Sequence, residues 1–358
     1  MSSATRVCII IPCRNEEKFI QACLESVLSF ALPAGATLEI VVLDGGSTDR
    51  TRDIVAEIVR KHPNVRCLDN PQRYQGCAVN RAIRQVPADY YLWLGAHTQF
   101  PRNYVQLCLE TAQRTGADVV GGFCVTEIGG PGYGAQVVQA MTTHKFGVGD
   151  SSFRVGAQEG PVDTVAYALF RASVFKKVGL LDERLVRAQD YEFNCRIRRA
   201  GLTIWMNPAI RCGYHNQASL VAFYRKQIVL EAPYNAYMWW VAPYSFTPRH
   251  AISGVFALGV LGGLALSSFA SWIAWPFGAV MGLYGVLAVL SALQQTVRYR
   301  QPLHFLVLPF CFFGFHFLHG LGVLAGILRL GTGTSPVLRV PVPDLTLRAA
   351  DSSPVPKP

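Results

Sequence analysis

Several short stretches of this chain combine residue types that could do chemistry at one place. Leu38-Glu39-Ile40-Val41-Val42-Leu43 runs directly into Asp44-Gly45-Gly46-Ser47-Thr48-Asp49. An apolar, partly β-branched run followed by two glycines predicts a buried strand, a sharp turn and a helix start. Asp44 would then stand at the carboxyl end of a parallel strand, where open α/β sheets bind ligands. A carboxylate there can accept hydrogen bonds from a ligand's N–H and O–H groups. An Asp-Gly turn, with Ser47 and Thr48 capping the next helix, would look the same without a ligand. Gln189-Asp190-Tyr191-Glu192-Phe193-Asn194 is a second candidate. It opens a predicted helix with Asp190 and Glu192 in the first turn, near the positive end of the helix dipole. Two roles stay open for Glu192, catalysis and simple helix-start acidity. Asn15 and Glu16, Asn80, and the loop Gly95-Ala96-His97-Thr98 complete the set.

Elements must hold these residues. Val7 to Ile11 reads as a first buried strand ended by Pro12, with Arg14 to Glu17 opening a helix that buries Phe19, Ile20, Leu24, Val27 and Leu28. The Asp44 strand follows, then a helix burying Ile54, Val55, Ile58 and Val59. A short strand spans 65–68, a helix with Asn80 and Arg81 spans 76–85, and a fourth strand spans 90–94. This alternation predicts a parallel, doubly wound sheet. No Gly-x-Gly-x-x-Gly follows the first strand, which disfavours a dinucleotide fold. A helix (104–115), a strand (119–125) and an aperiodic, glycine-rich loop (129–160) come next. A strand then ends at Phe170-Arg171, and Gly179 to Glu183 turns.

The ordered motifs resemble glycosyltransferase family 2, with the GT-A nucleotide-sugar-binding, Rossmann-like α/β fold. Ile11-Pro12-Cys13-Arg14-Asn15-Glu16-Glu17 resembles that family's first strand and loop, and Asp44 to Asp49 its nucleotide-binding turn. Gln189-Asp190 falls where the family has its acidic catalytic pair. Gly147-Val148-Gly149, Val162-Asp163-Thr164 and Gln189 to Asn194 resemble the membrane-bound exopolysaccharide transferases of the succinoglycan type. The resemblance implies an inverting transfer from a nucleotide sugar, expected to be a UDP-sugar, to a polyprenyl-diphosphate-linked saccharide. It implies Asp190 as general base, and Asn15, Glu16, Asp44, Asn80 and His97 around the donor. One position departs from the pattern. The family carries Asp-x-Asp or Asp-x-His after the fourth strand, and Gly95 stands at the first Asp. His97 alone remains as a metal ligand, tolerable for Mn2+ and poor for Mg2+, which prefers oxygen. Three outcomes stay open. Metal could bind through His97, diphosphate and water; arginines such as Arg73 or Arg154 could replace it; or the enzyme could be weakened. His97 could equally be a loop histidine without a ligand role.

The chain has 358 residues, 51% hydrophobic and 16% charged, with net charge +10 and mean hydropathy +0.24. The apolar excess sits late: no Asp, Glu, Lys, Arg or His occurs from Ala251 to Val297. That is room for two spans of ~20 residues, expected near 251–269 and 272–293. Arg249 before them and Arg298 and Arg300 after them predict a hairpin with both flanks in the cytosol. A third apolar segment, 303–328, holds Pro309, His304, His316 and His319. Hydropathy predicts that it spans, whereas the basic tail beyond it predicts a re-entrant or surface-lying segment. The expected organisation is a cytosolic catalytic domain (1–237), a membrane domain (238–330) and a largely disordered tail (331–358). The apolar run at the amino terminus, Arg6 to Ile11, is too short for a signal peptide, so the first domain is expected to stay in the cytosol, and the spans predict a multi-pass protein of the cytoplasmic membrane. The positive charge fits a membrane surface or a diphosphate better than nucleic acid. Ten scattered cysteines without Cys-x-x-Cys read as reduced core residues. Two rivals to an active transferase are a non-catalytic relative that binds nucleotide sugar or a partner transferase, and a transporter subunit. The scarcity of charge in the spans disfavours the second.

Overall fold

The computed structural model describes residues 4–149 and 158–347. They form two compact units. The first comprises 4–125, 158–214 and 342–347, and the second 126–149 and 215–341. These bounds differ from the sequence expectation, because 126–149 and 215–237 belong with the apolar helices and the end of the described chain returns to the first unit.

In chain order the first elements are β1 (Thr5–Cys13), α1 (Ile20–Leu28), β2 (Ala36–Asp44), α2 (Thr51–Lys61), β3 (Val65–Asp69), α3 (Gln75–Gln85), β4 (Tyr90–Trp93), α4 (Tyr104–Thr115) and β5 (Val119–Glu127). Next come α5 (Tyr133–Thr142), α6 (Lys145–Val148), β6 (Gly160–Pro161), β7 (Ala166–Arg171), α7 (Ala172–Val178), α8 (Gln189–Arg199) and β8 (Ile204–His215). The sheet order is β3-β2-β1-β4-β7-β5-β8-β6. β1 to β4 are parallel, as expected, but β7 runs antiparallel to both β4 and β5. The sheet is therefore mixed, not wholly parallel.

Pro12 does not end β1. Pairing with β4 stops at Ile10–Trp93, while pairing with β2 continues to Cys13–Asp44. The C=O of Ile10 accepts from Leu94 on the β4 side. In a parallel ladder residue 12 faces the same side as residue 10, so the N–H that proline lacks would point where that ladder has already finished. Arg14 to Glu17 do not open a helix either: α1 begins at Ile20, and Phe19 is 52% exposed. The interval 129–160 is not simply a loop, since α5 and α6 lie within it. α5 packs Val137, Val138 and Met141 against Leu308 and Phe312 of the apolar helices.

Behind the sheet's central strands an aromatic core fixes α8. The Trp93 and Phe170 rings stack at 4.3 Å, and Phe193 of α8 stacks on Phe175 of α7 at 5.5 Å. Stacked pairs add roughly 0.5–1.5 kcal/mol beyond area burial. The last described residues belong to the same unit. Leu180 N–H donates to Leu345 C=O at 2.8 Å, and Arg84 donates to Asp344 C=O at 3.2 Å. The tail is thus docked as far as 347, and the remainder of the expected disordered segment lies outside the described residues.

The second unit continues with α9 (Leu220–Lys226), a π-helical turn (Gln227–Glu231), α10 (Ala232–Val241), α11 (Pro248–Phe269), α12 (Ala274–Tyr299) and α13 (Leu303–Gly331). Among the described residues three helices are long and apolar enough to cross a membrane, and the third is continuous through Pro309. Glycines bring helices close: a Cβ at Gly320 would collide with the Ser253 carbonyl oxygen of α11. Only a residue without a side chain fits there.

Candidate active site

The loops after β1 and β2 are stitched into one surface. Asn15 has φ 56°, a left-handed conformation that asparagine tolerates. Its N–H donates to Ser47 Oγ at 2.9 Å, and its Oδ1 accepts Thr48 N–H at 2.8 Å. Glu16 N–H donates to Thr51 Oγ1 at 2.8 Å, and Glu17 N–H to Asp49 at 3.2 Å. Ser47 and Thr48 are therefore partners of Asn15 rather than helix caps. α2 begins at Thr51, whose N–H donates to Asp49 at 3.0 Å.

Asp44 sits under this surface, 2% exposed. Its Oδ1 accepts the Ser47 hydroxyl at 2.5 Å, and its Oδ2 accepts N–H groups of Gly46 and Ser47, each at 3.1 Å. Arg52 Nε stands 3.5 Å from Oδ2, and Arg52 Nη2 donates to Asp69 Oδ1 at 2.6 Å. A carboxylate offers about four lone-pair sites, and these contacts occupy them. Asp44 thus shapes the Gly45–Ser47 turn from below instead of projecting from it. Arg14 and Arg73 flank the turn: the Cβ position of Gly45 is 3.4 Å from Arg14 Cβ, and that of Gly46 is 3.9 Å from Arg73 Nε. Gly46 has φ 75°, which a glycine adopts without strain.

The β4 loop adjoins the same surface. His97 Nδ1 lies 3.4 Å from Glu16 Oε1. Gly95 adopts ordinary negative φ, and a Cβ there would meet Thr98 Oγ1 at 3.2 Å and the His97 ring at 3.6 Å. Beneath it, burial and then the Glu16 charge push the Cys23 thiol up to about 12. Burial and then Asp44 likewise raise Cys13. Both stay neutral thiols, unsuited to nucleophilic attack or metal ligation. Among the described residues no three His, Cys, Asp or Glu side chains come together. An imidazole and a carboxylate do not fill the six-fold oxygen-rich shell of Mg2+ or Mn2+. The described residues by themselves do not complete the shell of a resident divalent ion. Arg154, the other arginine considered for this role, lies outside the described residues.

Asp190 comes from the opposite segment. Ala188, with φ 59°, breaks the chain direction just before α8. Asp190 is exposed, whereas Gln189 is buried and donates to Gln75 at the start of α3 at 3.4 Å. This contact brings the start of α8 to the edge where the β1, β2 and β4 loops meet. Asn80 is not on that edge. It is 1% exposed; its amide donates to Leu181 C=O and Glu183, at 2.9 and 2.8 Å, and accepts Leu181 N–H at 3.0 Å. Asn80 therefore holds the 181–183 turn that precedes α8. Glu192 is 1% exposed and gives both oxygens to Arg196, at 2.6 and 2.8 Å. Its occupation is structural.

Tyr167, Gln75 and Arg52 were not anticipated. Tyr167 has φ 46°, unusual for a bulky residue, and its hydroxyl lies 3.3 Å from Thr98. No sequence signal marks a strained tyrosine in a strand.

A mixed α/β sheet whose strand ends gather loops of this kind is a GT-A-like fold. It resembles the mannosyltransferase PcManGT of Pyrobaculum calidifontis, solved with GDP-Man and Mn2+, at TM-score 0.55 and 17% identity, over 92% of this chain and 87% of that one. Residues 8–179 match the Glycosyl transferase family 2 model. Succinoglycan biosynthesis protein ExoA of Rhizobium meliloti is 35% identical over 62% of this chain and 67% of its own length. A Methanococcus voltae dolichyl N-acetyl-alpha-D-glucosaminyl phosphate 3-beta-D-2,3-diacetamido-2,3-dideoxy-beta-D-glucuronosyltransferase is 26% identical over 90% of this chain and 97% of its own. The chain belongs to glycosyltransferase family 2, and it is a transferase.

Proposed function

We propose that this protein is an inverting, membrane-anchored glycosyltransferase of polysaccharide assembly. It moves a sugar from a nucleotide sugar, by resemblance a UDP-sugar, to a polyprenyl-diphosphate-linked saccharide on the cytosolic side. The observation that carries this is the Gln75–Gln189 contact, which brings a carboxylate-bearing helix start to the edge that holds the Asp44 turn. The names of the relatives support glycan assembly and a lipid-linked acceptor.

In this reaction the acceptor oxygen attacks the anomeric carbon as Asp190 takes its proton. The bond from that carbon to the diphosphate breaks, and the nucleoside diphosphate leaves with the electron pair. General base assistance of this kind is worth ~10²–10⁴-fold. Asp44 contributes through the turn it supports, with Asn15 and Glu16 fixing the facing loop. Arg14 and Arg73 are cations beside Gly45 and Gly46, suited to the diphosphate as its charge grows.

The test is transfer from a panel of UDP-, GDP- and dTDP-sugars to a polyprenyl-diphosphate-linked saccharide by detergent-purified protein. Anomeric configuration is read by NMR. Transfer with inverted configuration from one donor class is expected. Retained configuration, or activity only on free sugars, would overturn the proposal.

A further inference from the structure

The chain leaves the first unit at 214 and returns to it at 342. The return is held by Leu180–Leu345 and Arg84–Asp344. It is also held by close approach at Gly179 (φ 81°), where a Cβ would lie 2.5 Å from the Leu345 carbonyl oxygen. One unit stands on one side of a bilayer, so the path between its two ends crosses an even number of times. Residues 332–341 cannot supply a crossing. Ten residues reach ~35 Å only if fully extended, against ~40–45 Å for a bilayer with headgroups. These are not extended: Thr334 and Ser335 N–H groups both fold back onto Arg329 C=O, at 2.9 and 3.1 Å, and Pro336–Leu338 form a 3-10 turn.

Of the three long apolar helices, then, one does not cross. We infer that α13 lies along the membrane face on the catalytic side, with its outer stripe in the acyl layer, while α11 and α12 form the crossing hairpin. This rests on the membrane-anchored reading above. A second observation agrees. Leu308 and Phe312, early in α13, pack on α5, which at ten residues is too short to span. Gly322 and Gly326, late in α13, pack on Ile228, Ala232 and Pro233, in a helical run that carries Lys226 paired with Glu231. These contacts lie ~20 Å apart along the helix axis at 1.5 Å per residue. Both ends of α13 thus rest on segments that do not span, and its contacts with the crossing helices include Ala292 and Tyr299 towards the end of α12 and Ser253 towards the start of α11, the two hairpin ends on the catalytic side. Leu303, Leu306, Phe310, Ile327 and Leu328 remain exposed and purely apolar. Their partner is the acyl layer that continues around the hairpin. At Arg300 (φ 53°) the chain turns sharply out of α12 before α13 begins.

Single cysteines test this in sealed membrane vesicles of both orientations, with a membrane-impermeant maleimide, in a Cys67→Ser background that removes the exposed thiol. Glu57→Cys marks the catalytic unit, Ser271→Cys the hairpin tip and Thr334→Cys the end of α13. Thr334→Cys labelling from the same face as Glu57→Cys, with Ser271→Cys labelling from the other, is expected. Thr334→Cys labelling from the face opposite Glu57→Cys would overturn the inference. Ser271→Cys labelling with Glu57→Cys would instead overturn the hairpin, and the membrane-spanning reading with it.

Discussion

Gly95→Asp is the substitution that says most about how this enzyme manages its leaving group. The backbone accepts it, because Gly95 is outside the left-handed region and only the Thr98 hydroxyl, at 3.2 Å, must yield by a few tenths of an ångström. The new carboxylate would stand beside the His97 ring, whose Nδ1 already faces Glu16. The protein would then offer two carboxylates and an imidazole instead of one carboxylate and an imidazole. Unit charges 4 Å apart interact by ~4 kcal/mol at an effective dielectric of 20. Desolvation removes much of that gain, so a net effect of about 1.4–2.8 kcal/mol, or 10–100-fold in metal affinity, is expected. The assay is turnover against Mn2+ and Mg2+ concentration, with chelator as the zero point, for both proteins. The wild type is expected to depend weakly on metal and to prefer Mn2+. The variant's half-saturating concentration is expected to fall 10–100-fold. Paramagnetic relaxation of water by bound Mn2+ gives the same comparison without turnover. A wild type strictly dependent on tightly bound Mg2+, unaltered by the substitution, would refute the reasoning.

Asp190→Asn is expected to lower turnover by ~10²–10⁴-fold with nucleotide affinity nearly unchanged by calorimetry; activity near wild type would remove Asp190 as the base. Asp44→Ala deprives two backbone N–H groups and Arg52 of their acceptor, and nucleotide affinity is expected to fall by about 1.5–3 kcal/mol in a folded protein; unchanged affinity would show that the Asp44 turn does not bear on nucleotide binding. Glu192→Ala leaves the partly buried Arg196 without its carboxylate, at an expected cost of ~3 kcal/mol in denaturant unfolding, the low end for a buried pair. A loss of turnover without any loss of stability would instead give Glu192 a catalytic role. Asn80→Ala frees the 181–183 turn and is expected to lower kcat more than it raises donor KM, because the turn leads to Asp190; equal stability and kcat would show that the clamp is idle.

The parallel half of the sheet is readable in the sequence because β1, β2 and β4 are short apolar runs, the last two ended by Gly45 and Gly95. β8 is hidden because Asn207-Pro208 interrupts it, although Ile204, Met206, Ile210 and Cys212 alternate on its buried side. The antiparallel β7 is equally hidden, since direction depends on where the chain returns after an excursion and not on its own residues. At the site, residue type marks Asp44 and Glu16 but not their state. Whether a carboxylate faces a ligand or its own turn depends on which N–H groups the neighbouring backbone presents. Asn80 and Glu192 are polar residues in helices, and only burial distinguishes a clamp or an internal ion pair from a site. Asn15 is the reverse case: its left-handed φ, which no spacing rule announces, turns a helix-like acidic stretch into the loop that joins β1 to β2.

The strap at Asp344–Leu345 ties the assembly of the catalytic unit to the timing of synthesis. Arg84 must wait for Asp344, 260 residues later in the chain. At ~5–20 residues per second, that is a delay of roughly 13–50 seconds at the ribosome. During it α11 and α12 emerge and must find the bilayer. The turn between α7 and α8, which leads to Asp190, is therefore completed only after the apolar helices have been made. A chain stalled or cut before residue 342 would have the strand-end loops of the first unit complete but the 179–183 turn held by Asn80 without the Leu345 contact. In this way the order of synthesis delays the full bracing of the turn before Asp190 until the apolar helices exist.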